Sequence, residues 1–292
     1  MSHQKRKEIQ EQILKLKEQS GLSANAYAKS IGMSEAHFSN LVNSKFELIG
    51  DAVWRKLADK CNLKDNDWPT VETGVLQIIT PILMDAKANS TVHAVVAHAG
   101  SGKSHVCNEF AQNNPNVSLI TCEEGMGNKD LLGELLSKMG VNPNGMNNYA
   151  KLREIVKTAL KKDNPLIIFD EWEKLDDRVR YYFITLYNKL EDKCGFVICS
   201  TFRLKMEIER GLKRGKRGYE EIFSRFGSRF ILCPKVSQSD VFKVCTANGI
   251  IAETANKIAS ECQVEIDGEP TRYDMRRLKK LIKNKKGGRA AS

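Results

Sequence analysis

Apolar residues near the start of the chain recur at the spacing of short amphipathic helices. One face of a first predicted helix carries Ile9, Ile13, Leu14 and Leu16. A second apolar face, on a helix predicted over about 51–61, consists of Val53, Trp54 and Leu57. The two faces together predict a small helical domain with one core.

Between these helices, the segment 22–45 has the pattern of two short helices joined by a tight turn. Ala28 is small where the helices would cross, Gly32 permits a positive φ in the turn, and Ser34 can cap the second helix. The outward positions of that second helix are Glu35, Ala36, His37, Ser39 and Asn40, and the inward ones are Phe38 and Leu41. The pattern resembles a repressor-type helix-turn-helix, which predicts DNA contacts from His37, Ser39 and Asn40. The alternative is a helical module that packs on protein.

From residue 71 onwards, buried strands alternate with amphipathic helices, the order of an α/β parallel sheet. Strands are predicted over 92–96, 117–121, 166–170, 195–201 and 229–232, and helices over 71–88, 103–111, 130–139, 149–161 and 177–190. Further helices over 238–247, 252–262 and 272–283 predict a helical lid, and the polar stretch 64–74 with Pro69 predicts a linker. We therefore expect a helix-turn-helix domain at 1–66, an α/β core at 67–235, and a lid with a basic tail at 236–292.

A glycine-rich loop, "AHAGSGKS", joins the first predicted strand to its helix. It matches the phosphate-binding pattern G-x-x-x-x-G-K-[ST] except for Ala97, which stands at the first glycine. Backbone N–H groups there would bind phosphate oxygens, Lys103 would reach the β- and γ-phosphates, and Ser104 would hold Mg²⁺. The predicted nucleotide-binding residues of the loop are Ala97, Gly100, Ser101, Gly102, Lys103, Ser104 and His105.

Two carboxylates end the strand in "LIIFDEWE". Asp170 is placed to hold Mg²⁺ together with Ser104, and Glu171 is placed to polarise an attacking water. A nucleotide switch can lack the second carboxylate, so its presence favours hydrolysis. Thr201, or its neighbour Ser200, ends the next strand and is the candidate for sensing the γ-phosphate. ATP and Mg²⁺ are the expected ligands.

Two later segments carry arginines of the kind that AAA+ ATPases use. In "IFSRFGSRF", Arg225 is the candidate arginine finger, which would reach a neighbouring subunit's ATP, and Arg229 is the alternative candidate. In "YDMRRLKKL", Arg276 resembles the sensor-2 arginine of the lid, with Arg277 next. Simple surface charge is the alternative interpretation for these arginines.

The net charge of +10 over 292 residues is unevenly distributed. Residues 203–217 hold seven basic residues against two acidic ones, and residues 272–292 hold nine against one. Such clusters suit a contact with phosphate backbones, although a solvated face is the alternative. The basic DNA-binding candidates are Arg203, Lys205, Arg210, Lys213, Arg214, Lys216 and Arg217.

Membrane and metal functions find no support in the sequence. It lacks an apolar run of membrane-spanning length and an apolar signal-peptide core. The eight cysteines form neither a C-x-x-C pair nor a zinc spacing, so we expect reduced thiols in a cytoplasmic protein.

The combined motifs resemble the phage Mu B-like transposition AAA+ ATPases, and more loosely the TnsC and IstB type. The most specific pieces are "VET" (71–73), "GSGKS" (100–104), "LIIFDE" (166–171) and "FSR" (223–225). Ala97, Thr201 and the short lid depart from the usual pattern. The resemblance implies an ATPase that binds double-stranded DNA with little sequence preference. It also implies helical self-assembly on that DNA, and recruitment of a DDE transposase for target selection in transposition.

Two other functions remain open at this point. One is a helicase loader, which usually carries a helicase-binding segment where this chain has the predicted helix-turn-helix. The other is a transcription regulator whose ATPase gates dimerisation, and strong sequence-specific binding would favour it.

Overall fold

Residues 3–60, 68–265 and 271–288 are described by the computed structural model of the chain. Contacts divide the chain into two units, Met1–Pro69 and Thr70–Ser292. The predicted boundary between residues 66 and 67 falls within 61–67, outside the described residues.

The first unit is helical throughout its described part. Its elements are α1 (His3–Ser20), α2 (Ala24–Ser30), α3 (Glu35–Val42), a 3₁₀ turn (Phe46–Leu48) and α4 (Asp51–Lys60). The Ser34 side chain accepts a hydrogen bond from His37 N, which begins α3 as the sequence predicts. Ser23 begins α2 in the same way by accepting from Ala26 N.

The core of this unit is built from faces that the apolar pattern predicts. Its buried members are Ile9, Ile13, Tyr27, Ala28, Met33, Phe38, Leu41, Phe46, Ile49, Trp54, Leu57 and Ala58. Leu16 packs against this core, whereas Leu14 is half-buried and lies outside it. The buried amide of Gln10, which the pattern did not predict, donates to Leu41 O (2.6 Å) and Val42 O (3.3 Å), and so ties α1 to the end of α3.

The second unit is built on five parallel strands in the order β2-β3-β4-β1-β5. The strands are β1 (Val92–Val96), β2 (Val117–Thr121), β3 (Leu166–Asp170), β4 (Gly195–Ser200) and β5 (Ile231–Leu232). The helices of the core are α5 (Gly74–Asn89), α6 (Lys103–Asn113), α7 (Asn128–Lys138), α8 (Asn148–Ala159), α9 (Asp177–Leu190), α10 (Phe202–Lys213) and α11 (Tyr219–Arg225). A 3₁₀ turn, Trp172–Lys174, follows β3. These elements confirm the predicted α/β fold of an AAA+ P-loop core.

Alternate residues of strands β1 to β4 enter different cores on the two faces of the sheet. Ile168 and Val197 pack with α5 and α6, whereas Ile167 and Phe196 pack with α7 to α11. Because both faces are covered, β3 and β4 are buried along their whole length. This explains why they read as continuous apolar runs in the sequence.

A lid of three helices and a short ribbon ends the described chain. It comprises α12 (Gln238–Ala247), α13 (Ala252–Cys262), the antiparallel pair β6 (Gln263–Val264) and β7 (Arg272–Tyr273), and α14 (Met275–Gly288). The buried Asp240 carboxylate accepts hydrogen bonds from Gly74 N and Ser237 N, which joins the lid to the start of α5.

Several predicted boundaries were wrong, each for a local reason. Helix α5 begins at Gly74 rather than 71, because Thr73 Oγ1 accepts from Leu76 N and caps it. Helix α14 begins at Met275 rather than 272, because Arg272–Tyr273 pair in the ribbon. Strand β5 is restricted to Ile231–Leu232, since only those residues pair with β1. Helix α10 was not predicted, although its buried Leu204 and Ile208 have helical spacing.

We predict that Gly195→Ala destabilises the core. A Cβ on Gly195 would lie 2.0 Å from the backbone oxygen of Ala86, so α5 would have to move away from β4. Overpacking of this kind costs about 1–3 kcal/mol, measurable by urea denaturation. As a control, Gly50→Ala meets no atom within 4 Å and should change stability by less than about 0.5 kcal/mol. Equal effects of the two substitutions would contradict the close approach.

Candidate active site

The glycine-rich loop leaves the carboxyl end of β1 and enters α6. Ala97 N donates to Ser200 O (3.1 Å), so pairing with β4 continues one residue beyond the strands. Ala97 is fully buried and its φ is not positive, which explains why alanine is accepted at the usual glycine position. Gly100 (φ 72°) and Gly102 (φ 97°) adopt the left-handed region, where a side chain would be strained.

Polar atoms of the loop have the properties that a phosphate site needs. The Lys103 ammonium is buried and donates to Ala97 O (3.1 Å) and His98 O (3.0 Å), the carbonyls of its own loop. Ser101 is also buried, and its Oγ has no hydrogen-bond partner in the described structure. A buried hydroxyl without a partner is costly, and a phosphate oxygen would supply the missing bond. The loop therefore fits the phosphates of a nucleoside triphosphate.

Asp170 and Ser104 are brought together below the loop. The Asp170 carboxyl is 1% exposed, and burial raises its pKa. A hydrogen bond from Ser104 and the charge of Lys103 oppose that shift. These two oxygen-bearing side chains are the ones that would hold Mg²⁺, which favours oxygen ligands. A bound divalent cation would also keep Asp170 ionised.

Glu171 lies between two cations. Its Oε2 is 2.6 Å from Lys174 Nζ, and its Oε1 is 3.8 Å from a terminal nitrogen of Arg276. The hydrogen bond to Glu171 raises the pKa of Lys174. The backbone of Glu171 is left-handed (φ 56°, ψ 37°), a strained conformation for a residue other than glycine. Helix α14 of the lid and the 3₁₀ turn therefore bring the predicted sensor-2 arginine, Arg276, close to the predicted base, Glu171.

The end of β4 is joined to a carboxylate that sequence reasoning missed. Ser200 Oγ donates to Glu173 Oε2 (2.6 Å), and Thr201 N donates to Glu173 Oε1 (3.1 Å). Burial alone would raise the pKa of Glu173, but these hydrogen bonds outweigh it and hold the pKa below its ordinary value. Ser200 is fully buried and Thr201 half-buried. The signal for Glu173 was its position two residues after Glu171.

Another missed residue, Asp274, places the lid against the glycine-rich loop. Its Oδ1 accepts from Arg276 N (2.7 Å) and Arg277 N (2.9 Å), which begins α14. Met275 N donates to Gly100 O (2.8 Å), and a Cβ on Gly100 would lie 2.3 Å from Asp274 Oδ2. Gly100 is therefore required both for its positive φ and for the close approach of the lid.

His105 follows the loop on α6 and is tied to the segment before α5. Its Nε2 lies 3.1 Å from Thr70 Oγ1. Burial lowers the pKa of His105, and the nearby charge of Lys279 lowers it further, while Glu109 acts in the opposite direction. The ring is therefore neutral near pH 7. It reaches the linker rather than Lys103 or Asp170.

Arg225 lies apart from the residues around the loop. Its guanidinium donates to Asn188 Oδ1 (2.8 and 3.2 Å) and Glu221 O (2.8 Å), and it stacks over the Tyr187 ring at 5.5 Å. These contacts fix Arg225 on the side of α11 that packs on α9. Arg229, the reserve candidate, and Arg277 are both exposed.

Several of the predicted DNA-binding side chains are already in ion pairs. Arg203 pairs with Glu207 (2.8 Å), Lys205 with Glu209 (2.7 Å), and Lys216 with Asp177 (2.5 Å). The exposed side chains of Arg210, Lys213, Arg214 and Arg217 have no carboxylate partner within the described residues. In the first unit, Ser39 of α3 is exposed, and His37 and Asn40 are half-buried.

Comparison with known proteins agrees with this geometry. Residues 87–203 match a family model described as an AAA domain, and the five-stranded parallel sheet fits an AAA+ ATPase. An AAA domain implies use of a nucleotide with Mg²⁺. No curated protein matches the chain significantly.

Among the residues that the structure describes, no helix combines the length and the apolar character that crossing a membrane requires. Within the same residues, no cluster of histidine, cysteine and carboxylate side chains could hold a metal ion by itself. Every described cysteine is a buried free thiol.

We predict that Lys103→Ala weakens ATP binding about tenfold to a hundredfold. The change removes one charge-assisted contact with phosphate, worth about 1.5–3 kcal/mol. Titration with a fluorescent ATP analogue measures the loss. Lys151 is a matched control, because it is also buried and its Nζ donates to a backbone oxygen, Lys129 O (3.0 Å). Lys151→Ala should lower stability but keep the affinity for ATP. Unchanged ATP binding by Lys103→Ala would contradict the assignment of the loop.

Proposed function

We propose that this chain is a DNA-binding AAA+ ATPase of the transposition type. ATP binding assembles copies of it on double-stranded DNA with little sequence preference, and the assembly recruits a transposase to that DNA. Hydrolysis then removes the protein from DNA. The nucleotide acts as a timer for assembly rather than as the source of a small-molecule product.

One observation supports the ATPase part of this proposal above the others: residues predicted from separate segments of the sequence lie close together around one loop. Lys103 and Ser104 would bind the phosphates and Mg²⁺, with Asp170 as the second oxygen ligand for the metal. Glu171 would accept a proton from the attacking water, because it directly follows Asp170 at the end of β3, on a strained turn. Arg276, 3.8 Å from Glu171, would contribute positive charge as phosphate charge develops. Mg²⁺, when bound, would offset charge on the phosphate oxygens.

Unpaired basic charge on the ATPase unit supports the DNA part. Arg210, Lys213, Arg214 and Arg217 have no carboxylate partner within the described residues, so their charge is free to neutralise phosphates. The three ion-paired candidates, Arg203, Lys205 and Lys216, would first have to leave their partners. We therefore assign the main phosphate contacts to the four unpaired side chains.

The surroundings of Arg225 support assembly through a shared site. An arginine finger acts on a neighbouring subunit's ATP, so it has to be held away from its own loop and kept rigid. The hydrogen bonds to Asn188 and the stacking on Tyr187 restrain its guanidinium in this way. Binding of ATP between two copies would then favour the assembled state.

The first unit supports a supplementary DNA contact. The exposed side chains of α3 include the polar residues Glu35 and Ser39, and Ser34 begins this helix by accepting a hydrogen bond from His37 N. A transcription regulator would rely on this helix for sequence-specific binding, whereas the proposed function relies on the ATPase unit. DNA binding at different salt concentrations distinguishes the two.

We predict that Glu171→Gln retains ATP and stays on DNA longer than the wild type. Glutamine keeps the shape but removes the base, and a general base contributes roughly 10²–10⁴-fold to the rate. Electron microscopy of both proteins with DNA and ATP tests assembly, and single-molecule dwell times test release. A variant that fails to assemble with ATP, or leaves DNA sooner, would favour a helicase loader that needs hydrolysis to load.

We also predict that DNA binding is electrostatic and nearly independent of sequence. The logarithm of the affinity should fall with the logarithm of the salt concentration, with a slope of about −0.9 per phosphate neutralised. Replacing Lys213 and Arg217 with alanine should reduce the magnitude of the slope by about 2. Fluorescence anisotropy on several unrelated duplexes measures both properties. A sharp preference for one sequence with little salt dependence would support the regulator instead.

A further inference from the structure

A groove of about 950 Å³ lies between α8 and the end of α9 on the ATPase unit. Apolar side chains line part of it, among them Met146, Val156 and Leu160. Leu160 is 54% exposed, although burial of a leucine side chain is favourable. The groove therefore leaves apolar surface uncovered.

Cations surround this apolar surface. Among the described residues that line the groove, Glu154 is the one carboxylate, and it pairs with Lys157 (3.5 Å). Three further cations of the lining, Arg153, Lys161 and Lys189, are exposed and have no carboxylate partner in the described part of the chain. The groove therefore combines a surplus of positive charge with an apolar lining.

This combination fits an acidic peptide better than a nucleic acid. A phosphodiester backbone would use the cations but would gain little from apolar side chains. A peptide in which acidic and apolar residues alternate would use both, because its carboxylates would meet the cations while an apolar side chain left water. The chemistry of the groove therefore favours a segment that is acidic and partly apolar.

The lid contains a segment of this composition. Residues 261–271, "ECQVEIDGEPT", hold four acidic residues and no basic one, and Ile266 stands between two of the acidic residues. Glu261 and Glu265 are exposed, and neither pairs with a cation among the residues that the structure describes. The segment is therefore complementary to the groove both in charge and in apolar character.

The groove lies next to the candidate arginine finger. Lys189 directly follows Asn188, whose Oδ1 accepts two hydrogen bonds from the Arg225 guanidinium (2.8 and 3.2 Å). A neighbouring copy whose ATP is reached by Arg225 would therefore lie beside this end of α9.

The acidic segment is tied to the glycine-rich loop of its own copy. Strand β6, which belongs to the segment, pairs with β7. Just after β7, Asp274 N donates to Cys262 O (3.0 Å), and Met275 N donates to Gly100 O (2.8 Å). A copy that offers its ATP to a neighbour's Arg225 therefore brings its acidic segment to the same neighbour.

We propose that the acidic segment 261–271 of one copy docks in the groove between α8 and α9 of the next copy. Carboxylates of the segment pair with the cations of the groove, and Ile266 covers its apolar lining. The contact joins two different surfaces of the chain, so it is head-to-tail and continues into a ring or an open helix. The inference rests on the proposed function and adds to it a contact between copies outside the nucleotide site.

Charge reversal on each side of the contact tests it. The groove variant is Lys161→Glu/Lys189→Glu, and the segment variant is Glu261→Lys/Glu265→Lys. All four side chains are exposed, so both variants should fold and bind ATP like the wild type. Sedimentation velocity with ATP, with and without a long duplex, measures the protein concentration at half-assembly. Each variant alone should need about tenfold more protein, because two exposed attractions become repulsions. Assembly of either variant at the wild-type concentration overturns the proposal.

A mixture of the two variants distinguishes a contact between copies from one within a single chain. In an alternating assembly every reversed groove meets a reversed segment, so the equimolar mixture should assemble at the wild-type concentration. A variant with all four changes keeps the net charge of the wild type and should assemble equally well. Rescue by the fourfold variant but not by the mixture would place the contact within one chain and overturn the proposal. Failure of both to assemble would show that the two charge patterns do not meet.

Lys129→Glu/Lys138→Glu is the matched control for the groove variant. Both lysines are exposed on α7 and outside the groove, and the net charge changes by the same amount. This control should assemble like the wild type, and impairment equal to that of the groove variant would assign the effect to net charge. A groove variant that assembles normally but binds a short duplex more weakly than the control would assign the groove to nucleic acid instead. Either result contradicts docking of the segment.

The outcomes separate this inference from the proposed function. If the wild type assembles with ATP on DNA and the two charge variants assemble equally well, the inference fails and the proposed function stands. If the wild type does not assemble with ATP and DNA, the proposed function fails, and the contact between copies fails with it.

Discussion

Parallel pairing of β1 with β4 is the constraint on which the site depends. The register that matches Val96 with Ser200 brings the carboxyl ends of both strands to the same edge of the sheet. One further hydrogen bond, from Ala97 N to Ser200 O, holds the start of the glycine-rich loop at that edge. Strand β3 pairs with β4 on the other side and ends there with Asp170. A slip in this register would separate the loop from the carboxylates.

At this edge, Glu171 has two cationic neighbours that belong neither to β3 nor to the glycine-rich loop. Lys174 comes from the turn that follows β3, and Arg276 comes from a helix of the lid. The lid reaches the loop because Met275 donates to Gly100 and because Gly100 leaves room for Asp274. The position of the lid and the charge around the predicted base are therefore linked, so that a change in one alters the other.

Intrachain ion pairs restrict which basic residues can bind an external anion. The stretch 203–217 looks uniformly basic in the sequence, yet Arg203, Lys205 and Lys216 are each neutralised by a carboxylate close in space. Two of those partners lie four residues away on the same helix, and Asp177 comes from another helix. Arg180 is buried and takes Glu207 and Asp177 as well. In the part of the chain that the structure describes, the basic residues of this stretch without a carboxylate partner are therefore Arg210, Lys213, Arg214 and Arg217.

The sequence by itself determined the order of the five core strands and of most helices, the α/β class, the loop at 97–104 and the acidic end of β3. The strands and helices follow from the local periodicity of apolar residues. The loop and the acidic strand end follow from glycine, lysine and carboxylate residues at a spacing that few other structures require. It did not reveal α10, because charged residues dominate that segment and only Leu204, Ile208 and Gly211 face inward. Nor did it reveal the roles of Glu173, Lys174 and Asp274. Each of the three acts through partners that are distant in sequence or set by a strained turn, and only the tertiary structure decides which charges meet.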